Sequence, residues 1–124
     1  MKMNIEVMQA AADSAGALLK ALANRHRLLI VCQLLDAERS VGELAMLLKL
    51  RTSTVSQHLA VLRKDGLVTA RRSAQTIWYS IGHPAARALV RTLYEFYCPA
   101  PAASAKRRRT PLRPPRPAGL ASHQ

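Results

Sequence analysis

The chain has 124 residues, 49% of them hydrophobic, with 19 Lys and Arg against 7 Asp and Glu and a formal net charge of +12. That length holds one domain with a modest core, and no apolar run approaches the roughly 18 residues of a membrane span. The opening MKMNIEV lacks the apolar segment of a secretion signal, so the expectation is a soluble, cytoplasmic protein. There a positive balance suits a polyanionic partner, and equally a membrane surface or mere solubility, and two cysteines are buried thiols or a switch, not a disulfide framework.

Residues 5 to 12 read as a short helix with Ile5, Met8 and Ala12 aligned. Asp13 or Ser14 is placed to cap a next helix running through Leu18, Leu19, Ala21 and Leu22 to Asn24. Met8 and its neighbours are too apolar for a lone surface helix, so part of this segment is expected to meet another subunit. Asn24 then caps a third segment, RHRLLIVCQLLDAE, in which Leu28, Val31, Cys32 and Leu35 recur at helical spacing. Cys32 therefore points inward.

The central stretch from Ser40 to Gly66, SVGELAMLLKLRTSTVSQHLAVLRKDG, reads as two short helices joined by a tight turn and stopped by glycine. Ser40 and Glu43 can form a capping box, and Leu44, Leu47 and Leu48 share one face of the helix that follows. Leu50 to Thr52 carries the turn, and Thr52 or Ser53 can cap a second helix. Its apolar positions Val55, Leu59 and Leu62 keep the 3.6-residue period, while Thr54, Ser56, Gln57 and His58 point away from them. Residues 52 to 58 contain no carboxylate and no lysine, only short hydrogen-bonding side chains suited to close approach. A solvated helix face is usually rich in Lys and Glu, so this pattern favours a recognition helix whose N-terminal half meets base edges in a major groove.

Leu67 to Arg72 and Thr76 to Ile81 are two runs rich in β-branched and aromatic residues. They are separated by Ser73, Ala74 and Gln75, the signal of a hairpin. Appended to a helix-turn-helix, a hairpin is a wing, and Arg71 and Arg72 near its tip suit phosphates or a minor groove. Pro84 suits the first turn of a last helix in which Leu89, Val90, Leu93, Phe96 and Tyr97 supply apolar surface on more than one side. Pairing with its copy in a second subunit is the simplest use of that surface, and two-fold symmetry would match a palindromic operator. From Pro99 onward the chain holds six prolines, six basic residues and no acidic one. The expectation is a folded domain over residues 1–98 and a disordered Pro/Arg-rich tail over 99–124, with the run Lys106 to Arg109 either a non-specific electrostatic arm or a solubilising one.

The segments LLKALANRHRLLIV, SVGELAMLL, TSTVSQHLAVLRKDGLV and QTIWYSI, in this order, resemble the ArsR family of small dimeric winged-helix repressors over nearly all of residues 15 to 98. The resemblance implies a mainly α (α+β) winged helix-turn-helix of about five helices with a two-stranded wing. It further implies a homodimer through its terminal helices, bound to an inverted-repeat operator on double-stranded DNA and released by an effector. By position, the DNA-binding residues are Thr52, Ser53, Thr54, Ser56, Gln57 and His58 on the recognition helix and Arg71, Arg72 and Gln75 on the wing, with Gln57 and His58 the foremost base readers. Arg25, Arg51 and Ala74 stand where the family often has proline, serine and glycine.

Many members sense metals through a Cys-x-Cys pair on the helix that here reads VGELAMLL, or through an Asp-x-His with a distant His and Glu on the last helix. Neither set is present, so no metal and no cofactor is expected. Cys32 and Cys98, the latter in the context EFYC, instead resemble the paired thiols of the sulfide-responsive and biofilm-growth-associated repressors of this family. That branch implies a disulfide or polysulfide link, formed by persulfide or oxidant, that releases DNA. Local chemistry supports it only in part, because a helix C-terminus and Glu95 oppose a thiolate at Cys98 and nothing near Cys32 in sequence is cationic. Two buried structural thiols, with another effector or none, are the alternative within the family. Outside it stands a non-specific nucleic-acid binder, for which the basic tail argues and the short polar recognition helix argues against. No nucleophile–base–carboxylate arrangement, Gly-rich phosphate loop or carboxylate pair suits an enzyme.

Overall fold

The computed structural model describes residues 4–98 and orders them as α1 (Ile5–Leu22), α2 (Arg25–Gln33), α3 (Val41–Leu48), α4 (Thr52–Lys64), β1 (Val68–Ser73), β2 (Thr76–Ile81) and α5 (Pro84–Tyr97). The expected tail, 99–124, lies outside the described residues. Five helices and an antiparallel hairpin make the expected winged helix-turn-helix. Its core is built from Leu22, Ile30, Val31, Leu34, Leu44, Val55, Leu59, Leu62, Leu67, Val68, Ile81 and Val90, all buried. Removing one of the large ones, as in Leu59→Ala, should cost about 2–5 kcal/mol.

Local signals explain most element ends. Ser40 and Glu43 form the capping box: Glu43 N–H donates to Ser40 Oγ at 3.1 Å, and Ser40 N–H donates to Glu43 Oε1 at 3.2 Å. Asn24 caps α2 by accepting from Arg27 N–H. At the end of α4, Gly66 is left-handed at φ 78°. Its N–H reaches Arg63 O at 3.0 Å and Leu67 N–H reaches Leu62 O at 2.9 Å, a Schellman stop closed by the buried pair Leu62 and Leu67. Lys49 plays the corresponding part after α3 at φ 57°, with Leu50 N–H on Ala45 O at 3.0 Å.

Several expectations are corrected. The N-terminal region is one helix, not two. Asn4 caps it, and the alanine-rich stretch, strong in helix propensity, carries it past Asp13 and Ser14, both exposed. The second helix stops at Gln33 instead of running to Glu38. Beyond it the chain must extend so that Arg39 can pair with Tyr79, N–H to O at 3.1 Å and 2.8 Å in the two directions. The deepest residues of α2 and its C-terminal cap are Ile30, Val31 and Leu34, while Leu28, Cys32 and Leu35 are partly buried beside them. On α3, Leu47 is 50% exposed and Ala45 takes its place inside. Neither Thr52 nor Ser53 caps α4: Arg51 holds the cap position and makes no side-chain cap bond.

The hairpin pairs Val68 with Ile81 through Ser73 with Thr76, so the turn is Ala74-Gln75 alone. Ala74 is left-handed at φ 58°. Along the strands Val68 and Ile81 are buried and Ala70 and Tyr79 are partly buried. Thr69 and Ser80 lie on the other face of the hairpin, their hydroxyls 3.2 Å apart. Exposed Ile5, Val7, Met8 and Leu19 on α1 and Tyr94, Phe96 and Tyr97 on α5 leave apolar surface on both terminal helices.

Candidate nucleic-acid interface and thiol pair

Val55, Leu59 and Leu62 are buried and fix how α4 lies on the domain. That leaves Thr52, Ser53, Ser56 and Gln57 exposed and Thr54 half-buried. With no side chain capping α4, the first backbone N–H groups of the helix share its open end with these hydroxyls and amide. A helix start of this kind attracts anions. His58 differs from its neighbours. Its ring sits edge-on to His26 with centroids 5.5 Å apart, and its Nδ1 lies 3.4 Å from an Arg27 guanidinium nitrogen. Arg27 is itself anchored by Nε donating to Ala21 O at 2.6 Å. Burial, then the charges of Arg27 and His26, push the His58 imidazole below its ordinary value. Part of its ring is thereby committed to α2, and the open polar face is centred on Ser53, Ser56 and Gln57.

The two wing arginines are held differently. Arg71 grips Glu38 with both arms, Nε to Oε2 at 3.0 Å and a terminal nitrogen to Oε1 at 2.7 Å. The bond and charge of Glu38 push Arg71 upward, and the bond to Arg71 holds Glu38 below the usual carboxylate range. Arg72 and Gln75 are exposed, and Arg72 makes no ion pair among the described residues. Sequence reasoning missed Glu38 and Arg27. Neither carried a local signal, since Glu38 meets a residue 33 positions away and His58 lies 31 positions from Arg27.

Cys32 on α2 and Cys98 at the C-terminal cap of α5 are both free and half-buried. α2 and α5 pack together, and Arg87 of α5 donates to Leu35 O at 2.9 Å just past the end of α2. Burial pushes the Cys32 thiol up, and the neighbouring Cys98 adds to that push. Cys98 thus bears on Cys32 although the two are 66 positions apart in the chain. Burial alone pushes Cys98 up. Among the described residues no three His, Cys, Asp or Glu side chains come together as a metal site, and no helix is long and apolar enough to cross a membrane.

Residues 18–70 match the model of the bacterial regulatory protein arsR family. The chain is 48% identical over 98 residues to the transcriptional activator HlyU of Vibrio cholerae, a match spanning 79% of this chain and 91% of that protein. The structure of reduced HlyU superposes with a TM-score of 0.72 at 47% identity, over 75% of this chain and 98% of that one. Identity is 40% over 94 residues to the biofilm growth-associated repressor of Agrobacterium fabrum, covering 76% of this chain and 80% of the repressor. The homodimeric winged helix-turn-helix domain of Mb0332 from Mycobacterium bovis, 30% identical, superposes with a TM-score of 0.65 over 77% of this chain and 88% of that one. HlyU is named as a transcriptional activator and the Agrobacterium protein as a repressor. With this fold, an open polar face on α4 and identity along most of the domain, the chain belongs to the arsR family of bacterial DNA-binding transcriptional regulators.

Proposed function

We propose that the protein is a homodimeric repressor that holds an inverted-repeat operator when its thiols are reduced and leaves it when Cys32 and Cys98 become linked. The observation that carries this reading is the packing of α2, which bears the half-buried Cys32, against α5, which ends at the half-buried Cys98, with Cys98 near enough to push the Cys32 thiol up. Among its relatives, the Agrobacterium repressor lends the sign of regulation, the Mb0332 domain lends the dimer, and HlyU has a structure of its reduced form. The exposed apolar residues of α1 and α5 are the surface that a two-fold interface would cover. Ser53, Ser56 and Gln57 read base edges, with Thr52, Thr54 and His58 beside them, while Arg71, Arg72 and Gln75 meet the backbone or minor groove.

The Cys98 thiolate takes the outer sulfur of a small persulfide RSSH, releasing the thiol RSH. The Cys32 thiolate then attacks the Cys98 sulfur, forming the protein disulfide and expelling hydrogen sulfide. An oxidant of the peroxide class reaches the same bond by accepting two electrons and two protons from the thiols. Closing a loop of about 67 residues stabilises the linked chain by about 4 kcal/mol against its unfolded state, enough to offset moderate strain. That strain acts on the end of α5, hence on the dimer and on the roughly 34 Å separation the two recognition helices need.

The test is a shift assay on DNA upstream of the protein's own gene, in excess random DNA. Reduced protein should hold the operator, persulfide-treated protein should release it, and reductant should restore binding. Cys98→Ser should stay bound after treatment. Release of that variant like wild type would overturn the link, and loss of the operator to random DNA would leave only a charge-driven binder.

A further inference from the structure

We propose that Glu38 sets the affinity of the wing for DNA by occupying Arg71 in the place a phosphate takes in the complex. This rests on the reading that the wing meets DNA. The pair is a bidentate fork at 3.0 and 2.7 Å, the geometry by which a guanidinium also grips a phosphate. Both side chains are open to solvent, 57% for Arg71 and 38% for Glu38, and an ion pair in that setting is weak enough to exchange. Glu38 is carried on fixed backbone. Its neighbour Arg39 is bonded through both main-chain groups to Tyr79 and through Nε to Gln33 O at 2.9 Å. After exchange the displaced carboxylate therefore remains beside the incoming phosphate and repels it. The hairpin itself, residues 67 to 81, has no Asp or Glu, so this carboxylate is brought in from the loop before α3. Arg72, one residue on, makes no ion pair among the described residues. The wing thus offers one cation directly and a second only in exchange for Glu38.

The test measures binding of a random-sequence duplex at several salt concentrations, because a phosphate contact is independent of sequence. Glu38→Gln should tighten binding about two- to fivefold at low salt, and the gain should disappear when Arg71→Ala is added. Asp36→Asn, which removes another exposed carboxylate two positions away in the same loop, should give a smaller gain that survives Arg71→Ala. A Glu38→Gln gain that persists without Arg71 would reduce the effect to net charge and overturn the exchange. Weaker binding by Glu38→Gln would make the pair a brace of the wing and overturn it too. Should Arg71→Ala and Arg72→Ala both leave affinity and salt slope unchanged while Gln57→Ala still removes operator preference, the wing does not touch DNA, and the exchange falls with that part of the reading alone.

Discussion

Lys49 and Gly66 end successive helices in the same left-handed conformation, φ 57° and 78°, so opposite substitutions at the two positions should have opposite effects. A side chain in that conformation costs about 1–2 kcal/mol, and replacing it by glycine returns about 0.4–1 kcal/mol of freedom to the unfolded chain. Lys49→Gly should therefore stabilise by about 0.5–1 kcal/mol, and Gly66→Ala should destabilise by a similar amount. A Cβ at Gly66 meets nothing within 4 Å, so its penalty is conformational and not a clash. For a domain of this size the shifts correspond to about 3–6 °C in Tm, up for the first and down for the second. Thermal unfolding at one fixed protein concentration reads them, since the melting of any self-associating protein depends on concentration. Lys49 lies in the turn that delivers α4, so steadying it leaves the recognition helix itself unaltered. Equal Tm values for wild type and both variants would refute the strain at Lys49.

Gln57→Ala should weaken operator binding by about 1–3 kcal/mol and leave random-DNA binding nearly intact, because a base contact carries discrimination and little of the electrostatic attraction; equal loss on both would contradict it. Arg72→Ala should lower affinity for both duplexes and make the slope of log K against log salt shallower by about one, an unchanged slope counting against a phosphate contact. Both thiols are pushed above their ordinary value of 9.0, so alkylation of the reduced protein should rise about tenfold per pH unit and still be climbing at pH 9. A plateau below pH 9 would reveal a cationic activator. The same upward shift favours the protonated thiols in the folded state. Their contribution to stability is complete below the unfolded-state value and is lost as pH rises through the folded-state values.

Elements whose causes lie within a few residues were legible from sequence. The capping box needs only Ser40 and Glu43, the buried stripe of α4 only the period of Val55, Leu59 and Leu62, and the wing only two runs of β-branched and aromatic residues around a short turn. What failed was decided at a distance. Gln33 ends α2 because Arg39 must reach Tyr79, a partner 40 positions on, whereas the apolar period by itself continues further. Asp13 and Ser14 have the chemistry of a cap, yet both are exposed and the helix formers around them carry α1 through. In the site, Ser53, Ser56 and Gln57 were placed correctly on an exposed face because their neighbours' periodicity turns them outward. His58 shares that periodicity, but its ring is drawn to His26 and Arg27, and Arg71 is drawn to Glu38, by contacts no local pattern encodes. The neighbourhood of Cys32 and Cys98 is likewise a product of how α5 lies on α2.

Intact mass and thiol accessibility of wild-type protein, sampled as persulfide releases it from its operator, test the switch most directly. The expected product is one link within each subunit: two hydrogens lost for a direct disulfide, or the same two hydrogens lost and whole sulfur atoms gained for a polysulfide, with Cys32 and Cys98 both closed to alkylation and joined in one digest fragment. Protein that has left the DNA with both thiols still open to alkylation, or joined only between subunits, would contradict it.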